Sequence, residues 1–474
     1  MGFRIAALIV GGLVTAGPIG LAGSAFAQAA GSETAPAQTP PVASPAPAAD
    51  SQASDSQASD SPPQTFAFHA QATVLDQANA SFHAPYQGPN SLWPHANGRE
   101  TADLTLYAGA RLWKGAEVWI NPEVDQGFGL ASTLGLAAFP SGEAYKVGAS
   151  TPYPKLPRLF LRQTIGLGGG EQKIDPDQNV LGGATTANRI VLTLGKFSVV
   201  DIFDANAYAH DPRGDFMNWA VIDAATFDYA ANAWGYTYGA AAELYWGRWA
   251  IRGGAFDLSD VPNNARLDPT FGQFQLVGEL EERHTIAGQP GKLRITSFVS
   301  RARMATFADA IAWGEPNDTA PQLAPVRRYR SRTGISFDAE QQLTPELGAF
   351  LRGGLADGTV EPYEFTDMDR SLSGGLSLKG ARWGRKNDVV GLAGMLDAAS
   401  SIHLAYLAAG GLGILVGDGR LPHPGPEAAL ETFYDIALAK GLHVTFDYQY
   451  FANPAFNRDR GPVSVGAIRL HGQF

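Results

Sequence analysis

Hydrophobic and polar residues alternate one by one along most of the chain after residue 65. In the stretch 100–113, Leu104, Leu106 and Ala108 fall on one parity, while Asp103 and Thr105 fall on the other. Successive residues of a β-strand point to opposite faces of a sheet, so this period of two predicts a strand with one apolar and one polar face. A short WKG turn at 113–115 follows, and the alternation then resumes, which predicts an antiparallel hairpin.

The same pattern recurs to the end of the chain. It is found in segments 158–167, 188–197, 236–254, 328–337, 371–380, 442–450 and 467–474. Short turns separate some of these segments, and long connections are expected at about 122–157, 168–187, 201–233 and 304–327. Short turns on one side and long loops on the other are typical of outer-membrane β-barrels.

The contents of the two faces favour a barrel in lipid over a water-soluble β-sandwich. The apolar parity carries Leu, Ala, Val and Ile with aromatic residues at strand ends, and the polar parity carries Arg, Glu, Asp, Thr, Ser and Gln. A soluble domain would have to cover each apolar face, and the sequence has no convincing amphipathic helix for that purpose. Within lipid a sheet must pair all of its backbone groups, so it closes. At about 25 residues per strand and connection, residues 65–474 predict an all-β, transmembrane antiparallel barrel of about 16 strands.

Two segments precede the predicted barrel. Residues 1–27 combine Arg4, an apolar run and an Ala25-Phe26-Ala27 cleavage pattern, which predicts a secretory signal peptide; an uncleaved anchor helix is the alternative. Residues 28–64 are rich in Ala, Pro and Ser and include the repeat DSQASDSQASDS, which predicts a disordered spacer. The sequence therefore predicts an exported protein of a Gram-negative outer membrane.

Composition narrows the picture further. The 474 residues include no Cys, so an exported chain of this kind has no disulfide scaffold. Only 17% of the residues are charged, below the roughly 25% of soluble proteins. The net charge of -11 speaks against nucleic acid as a partner, because nucleic-acid-binding domains carry basic patches.

The final segment, AIRLHGQF, ends on Phe474 with alternation up to the last residues. A chain that finishes on a strand suits the closing strand of a barrel, which pairs with the first strand and leaves no edge. A C-terminal aromatic residue is also the assembly signal of outer-membrane barrels, so Phe474 is a candidate for that role.

Three long segments resemble one known family. They are WKGAEVWINPEVDQGFGLASTLGLAAFPSGEAYKVG, GKFSVVDIFDANAYAHDPRGDFMNWAV and LVGDGRLPHPGPEAALETFYDIALAKGLHVTFDYQYFANPAFNRDRGPVSVGAIRLHGQF. Together they are similar to the carbohydrate-selective porin (OprB-type) family. The resemblance implies a 16-stranded barrel for passive uptake of sugars and polyols, with loops that fold partly into the lumen.

Charged and aromatic residues on the polar parity are the candidates for lining such a pore. Charged groups make strong hydrogen bonds to hydroxyls, and aromatic faces stack on the C–H surface of a sugar. The candidates are Arg158, Arg162, Arg328, Arg330, Arg332, Glu117, Trp119, Glu123 and Asp125. Their charges suggest a basic wall that faces an acidic loop; alternatively they only solvate the pore and pair with one another.

Signals for enzymatic chemistry or a cofactor are weak. The nine His lack metalloprotease spacing, and His403, His443 and His471 fall in strand-like segments as expected for ordinary lumen residues. The pairs Asp175/Asp177 and Asp367/Asp369 fall far short of the six to eight oxygen ligands of a Ca²⁺ site.

We therefore expect a channel without a cofactor, whose partners are small carbohydrates, membrane lipid, lipopolysaccharide and the barrel assembly machinery, as monomer or trimer. A general diffusion porin, a barrel enzyme and a secreted soluble glycan-binding protein remain the alternatives.

Overall fold

The computed structural model describes residues 63–144 and 148–474. The predicted signal peptide and all but the last two residues of the predicted spacer lie outside the described residues. The described chain consists mainly of β-strands that are joined in sequence order.

Sixteen strands make up the sheet in the described part of the chain. Their bounds are β1 Phe66–Asn79, β2 Asn97–Trp113, β3 Ala116–Gly127, β4 Ala149–Ile174, β5 Gly183–Phe197, β6 Thr237–Trp246, β7 Trp249–Asp257, β8 Phe274–Ile286, β9 Gln289–Met304, β10 Arg328–Gln342, β11 Leu347–Ala356, β12 Arg370–Gly380, β13 Arg385–Ala398, β14 Glu427–Ala439, β15 Leu442–Ala452 and β16 Val463–Gln473.

The helical segments lie between strands. They are α1 Trp219–Ile222, α2 Phe307–Gly314 and α3 Ser401–Ala408, with 3₁₀ turns at Leu130–Thr133, Val199–Asp201, Glu315–Asn317, Ala324–Val326, Ala381–Trp383 and Pro454–Phe456. No helix in the described part of the chain has the length and apolar character needed to cross a membrane.

The sheet closes on itself. Each strand pairs antiparallel with its neighbour in sequence, and β16 pairs with β1, with Leu470 opposite Val74. The predicted all-β barrel and its number of strands are therefore confirmed. Closure pairs the edge groups that would otherwise face lipid. The last residue takes part in this closure, because the Phe474 N–H donates to the Ala70 carbonyl at 3.0 Å.

Alternation along each strand separates an outer face from a lumenal face. In β5, Leu192 and Leu194 are exposed on the outside, 42% and 61% respectively, whereas Val191 and Thr193 between them are buried on the inside. In β10, Ile335 is likewise exposed on the outside. The outer face is therefore the apolar band that meets lipid, as the sequence predicts.

Long loops leave one end of the barrel and short turns the other. The long connections are residues 80–96, 128–148, 198–236, 258–273, 305–327, 357–369, 399–426 and 453–462. The prediction of a long connection at 168–187 is wrong, because most of these residues belong to strands β4 and β5, and their hairpin turn lies on the short-turn side. The glycines and polar residues of this segment lack an apolar parity, so the sequence pattern does not indicate a strand there.

The loop 198–236 folds back into the barrel, as the family resemblance implied. Wall carboxylates hold its backbone: Glu279 accepts the N–H of Asp204 at 2.7 Å, and Glu431 accepts that of Met217 at 2.5 Å. The Arg352 guanidinium donates to the Val221 carbonyl at 2.7 Å. Charged acceptors and donors of this kind make the stronger hydrogen bonds. The loop therefore fills one part of the lumen and leaves space beside strands β1–β4.

Candidate functional site

The space beside the inward loop is a cavity of about 230 Å³, called here the lumenal cavity. Strands β1–β4, the described part of the loop 128–148, the loop 198–236 and the β4–β5 turn surround it. Side chains on its wall include Gln71, Tyr107, Glu123, Asp125, Lys155, Arg158 and Arg162 from the strands, Glu143 from the first loop, Asp201, His210, Arg213, Asp223, Trp234 and Tyr236 from the second loop, and Gln178, Asn179 and Val180 from the turn. A polar cavity inside a barrel is where a permeant meets the protein.

A bulge in β4 brings an additional cation to the lumenal cavity. Opposite strand β3, Asn121 pairs with Arg158 and Glu123 pairs with Lys155, so three steps along β4 match two steps along β3. The additional residue, next to Pro157, reverses the parity of β4 at this point. Lys155 and Arg158 consequently both face the lumen, although strict alternation would place them on opposite sides.

Arg158 is fixed between a carboxylate and an aromatic ring. Its Nε and Nη2 donate to the two oxygens of Asp201 at 2.8 and 2.6 Å, which is the bidentate geometry that a planar guanidinium favours. Its Cζ lies 5.0 Å from the centre of the Tyr236 ring, within the range of a cation–π contact. The loop residue Asp201 therefore orients a strand cation toward the cavity.

Lys155 bridges two carboxylates of the neighbouring strand. Its Nζ lies 3.0 Å from Glu123 Oε1 and 2.7 Å from Asp125 Oδ2. Thr105 donates a further hydrogen bond to Glu123 at 2.5 Å. Two acidic candidates from the sequence, Glu123 and Asp125, thus lie beside a cation of the adjacent strand that the sequence did not indicate.

Arg213 brings positive charge from the inward loop. Its Nη2 lies 2.8 Å from Glu143, 3.4 Å from Asp103 and 3.4 Å from Glu123. Burial opposes the charge of this guanidinium, but the nearby carboxylates outweigh it and hold the pKa of Arg213 above its usual value. Both sides of the cavity therefore carry both signs of charge, which differs from the suggested basic wall facing an acidic loop.

Aromatic rings line the cavity among these charges. Trp234 Nε1 donates to the Tyr153 hydroxyl at 3.1 Å, and their ring centroids lie 6.4 Å apart. Burial raises the pKa of Tyr236 to about 12, and its ring supplies a flat face on the cavity wall. Flat apolar faces next to oriented polar groups are the two features that a sugar requires, since its ring has C–H faces and a hydroxyl rim.

His210 on the inward loop lines the cavity, and imidazole is the side chain whose ordinary pKa lies closest to neutral pH. Its Nδ1 lies 3.5 Å from Asp223 Oδ1, and Val200 O lies 3.1 Å from its Nε2. Burial lowers the pKa of the imidazole, but the Asp223 carboxylate more than offsets this and, with Asp204, raises the pKa of His210; the charge of Arg352 acts in the opposite direction.

Further predicted residues of β3 and β4 lie next to the cavity or on its wall. Arg162 lines it and donates from Nη1 to the Asn179 carbonyl at 2.7 Å. Glu117 lies between Arg111 and Arg162, at 3.7 and 4.0 Å. The Trp119 indole donates to Glu117 at 3.2 Å and is fully buried.

The arginines of β10 lie elsewhere, six strands away from β4. Arg328 and Arg330 both pair with Asp309 of α2, the first at 2.8 Å. Arg332 is completely buried, 3.2 Å from Asp369 and 3.5 Å from Asp228. These three share one parity, but they are not brought together with Arg158 and Arg162.

Two other residues singled out in the sequence, His403 and Phe474, lie next to aromatic rings. His403 lies in α3 and not in a strand, a correction to the sequence reading; its ring stacks on Phe307, with centroids 4.1 Å apart. In the described part of the chain, Asp, Glu, Cys and His side chains form no group of three suited to a metal ion. Phe474 is exposed, 6.1 Å from the Phe68 ring.

The residues that sequence reasoning missed come mainly from one bulge and one loop. Lys155 was hidden by the parity change at Pro157, and that proline was the available signal. Asp201, Arg213 and Tyr236 belong to a loop without periodicity, so their approach to the β3 and β4 wall is set by tertiary folding.

Comparisons with a family model and with solved structures found proteins similar to this chain. The family model described as the carbohydrate-selective porin, OprB family, matches residues 90–474. The chain is similar to OprB of Pseudomonas putida in its high-pH structure, with a TM-score of 0.66 and 16% identity over 86% of this chain and 94% of that chain. It is also similar to the outer membrane channel DcaP of Acinetobacter baumannii, with a TM-score of 0.49 and 9% identity over 86% and 97% of the two chains. No match was found among curated protein sequences.

Proposed function

The chain belongs to the carbohydrate-selective porin (OprB) family, whose members form sugar diffusion channels in the outer membrane, and we propose that its lumenal cavity is the sugar-selective region of the path. Permeating mono- and disaccharides would enter from the long-loop side, pass between the inward loop and strands β1–β4, and leave on the short-turn side. The family and the fold are those of channels, and we propose that the chain has no enzymatic role.

The observation that carries this proposal is the juxtaposition of Arg158, Asp201 and Tyr236. The guanidinium is held in one orientation by two hydrogen bonds and lies over a ring, as described above. An arginine side chain has five N–H donors, and Arg158 uses two of them in its hydrogen bonds to Asp201. Among the described residues the other three have no hydrogen-bond acceptor, which leaves them for sugar hydroxyls.

Weak binding is a requirement of passive transport. A permeant must exchange its hydration for protein contacts on entry and still leave quickly. Carboxylates and cations of the cavity are already paired with one another, as Lys155 is with Glu123 and Asp125. A sugar hydroxyl therefore competes with existing contacts, which keeps its net binding modest.

Conductance in planar bilayers tests this proposal. We expect stepwise channel insertion, and we expect added mono- or disaccharide to reduce the ion current in a saturable way. Unchanged current across a broad sugar panel would favour a general diffusion porin. Glycan or lipid hydrolysis by the purified barrel, lost on changing one loop Ser or His, would favour an enzyme. Recovery of the protein as freely soluble material without detergent would favour a secreted glycan-binding protein.

The segments outside the barrel complete the proposal. Residues 1–27 would direct export and be removed, residues 28–64 would form a spacer, and residues 65–474 would insert as the barrel. Phe474 would be read by the assembly machinery, and lipopolysaccharide would contact the outer rim. Removal of Phe474 should lower the amount of heat-modifiable protein in the outer-membrane fraction, and unchanged recovery would contradict that role.

A further inference from the structure

The β4–β5 hairpin is far longer than membrane crossing requires. Strand β4 has 26 residues, and β5 has 15. A barrel strand crosses a membrane with about 9 to 11 residues. The additional length continues beyond the short-turn end of the barrel, which faces the periplasm in barrels of this class.

A glycine-rich bulge redirects this extension. Gly168, Gly169 and Gly170 all have positive φ, between 86° and 96°, a conformation that residues with a side chain rarely adopt. The pairing of β4 with β5 is irregular between Gly166 and Glu171. Bulges of this kind bend a hairpin and change the direction in which it continues.

The turn at the end of the hairpin, residues 175–182, lies across the periplasmic end of the lumenal cavity. The amide groups of Gln178 and Gln71 of β1 are 3.0 Å apart, and Gln178 Nε2 lies 3.2 Å from Gln473 Oε1 of β16. On the other side, the Asn179 carbonyl accepts from Arg162 of β4. The turn thus spans an arc of the wall from β4 to β16.

The turn is also anchored next to the start of the barrel. The Gly182 N–H donates to Gln64 Oε1 at 2.9 Å, and its carbonyl accepts from the Gln64 N–H at 3.0 Å. Leu181 is buried, with 1% exposure. Packing of this kind is not expected of a hairpin end that merely extends into the periplasm.

We propose that the turn 175–182 forms the exit constriction of the sugar path and sets the largest sugar that leaves the lumenal cavity. This rests on the proposed function of the cavity. Gln178, Asn179 and Val180 line the cavity at its exit. The Asn179 side-chain oxygen is buried without a hydrogen-bond partner among the described residues, so its capacity to accept a hydrogen bond is unused in the structure.

Shortening the hairpin tests the proposal directly. Gly166 and Arg189 are register partners, so residues 167–188 can be replaced by an Asn-Gly turn that joins two paired strands. We expect ion conductance to rise by about twofold or more, and trisaccharides to enter liposomes at rates close to those of disaccharides. Unchanged conductance and unchanged size limit in a folded, heat-modifiable variant would overturn the proposal.

Cysteine modification tests it without removing any structure. The chain has no Cys, so each introduced thiol is the single target of a methanethiosulfonate reagent. We expect modification of Val180→Cys with a trimethylammonium reagent to lower the conductance by about half or more, because the added group occupies the exit. Modification of Glu171→Cys, on an exposed part of the same hairpin, should leave the conductance unchanged.

Complete labelling of Val180→Cys, verified by mass spectrometry, with no change in current would overturn the proposal. Both tests read ion current, and the shortened hairpin is also tested by sugar entry into liposomes. The effect of the turn on ion current is therefore measured even if the cavity has no preference for sugars. If sugars do not block the current of the unmodified protein, that result contradicts the proposed function and leaves the exit constriction untouched.

Discussion

Replacing Arg158 by alanine removes the cation on which the proposed sugar site depends. In the unchanged protein Asp201 fixes the guanidinium, so little additional ordering is needed when a sugar hydroxyl binds. Arg158→Lys is the informative partner variant, because it keeps the charge and loses the bidentate geometry.

The expected magnitude follows from these contacts. A hydrogen bond to a charged group contributes about 1.5 to 3 kcal/mol when it is well formed, and less where water competes. The Arg158 side chain is 15% exposed and lines the cavity, where water competes for its donors, so we take a loss of about 1.4 kcal/mol, equivalent to about tenfold in affinity. The sugar affinity of Arg158→Lys should lie between those of Arg158→Ala and the unchanged protein.

The assay is titration of the bilayer current with a disaccharide, and the measured quantity is the sugar concentration that gives half of the maximal block. Arg328→Ala is the matched control, because this exposed arginine pairs with Asp309 on a distant part of the wall. We expect the control to retain the half-blocking concentration of the unchanged protein.

Two results would refute this reasoning. One is a half-blocking concentration for Arg158→Ala within about twofold of that of the unchanged protein, which is below 0.5 kcal/mol. The other is an equal change for Arg328→Ala, which would indicate a general effect of lumen charge.

Three further predictions concern the cavity ring, the titratable group and the membrane face. Tyr236→Ala should raise the half-blocking concentration by about three- to tenfold through loss of the stacking face, whereas Tyr236→Phe should stay close to the unchanged protein. As pH falls through the raised pKa of His210 the ring gains charge, so reversal potentials in a KCl gradient should shift toward anion preference at low pH, and His210→Gln should reduce that shift. Leu192→Arg on the lipid-facing side of β5 should destabilise the folded barrel by about 2 to 4 kcal/mol in urea titrations in liposomes; a cost equal to that of Leu192→Ala would contradict the assignment of this face to lipid.

The architecture was accessible from the sequence because a strand between lipid and water repeats every two residues. Leu192 and Leu194 show this parity in the sequence and the corresponding outer face in the structure. A strand that extends beyond the membrane has no need of an apolar outer face, so its residues do not alternate. The sequence therefore predicts a long connection around Gly168–Gly170, where the structure has the hairpin extension.

The site was less accessible, because it depends on local irregularities and on contacts between distant segments. Parity correctly grouped Arg328, Arg330 and Arg332 on one face, but parity carries no information on depth, and Arg332 is fully buried. Asp201, at the start of a loop without periodicity, contacts Arg158, which lies 43 positions earlier in the chain. Only the tertiary structure brings such residues together.

A structure of the purified protein determined with a bound disaccharide tests the central claim most directly. The account predicts sugar density in the lumenal cavity, with hydroxyls within hydrogen-bonding distance of Arg158 and a ring face against Tyr236 or Trp234. Sugar density against the β10 arginines, with an unoccupied lumenal cavity under conditions in which the sugar blocks the current, would contradict it.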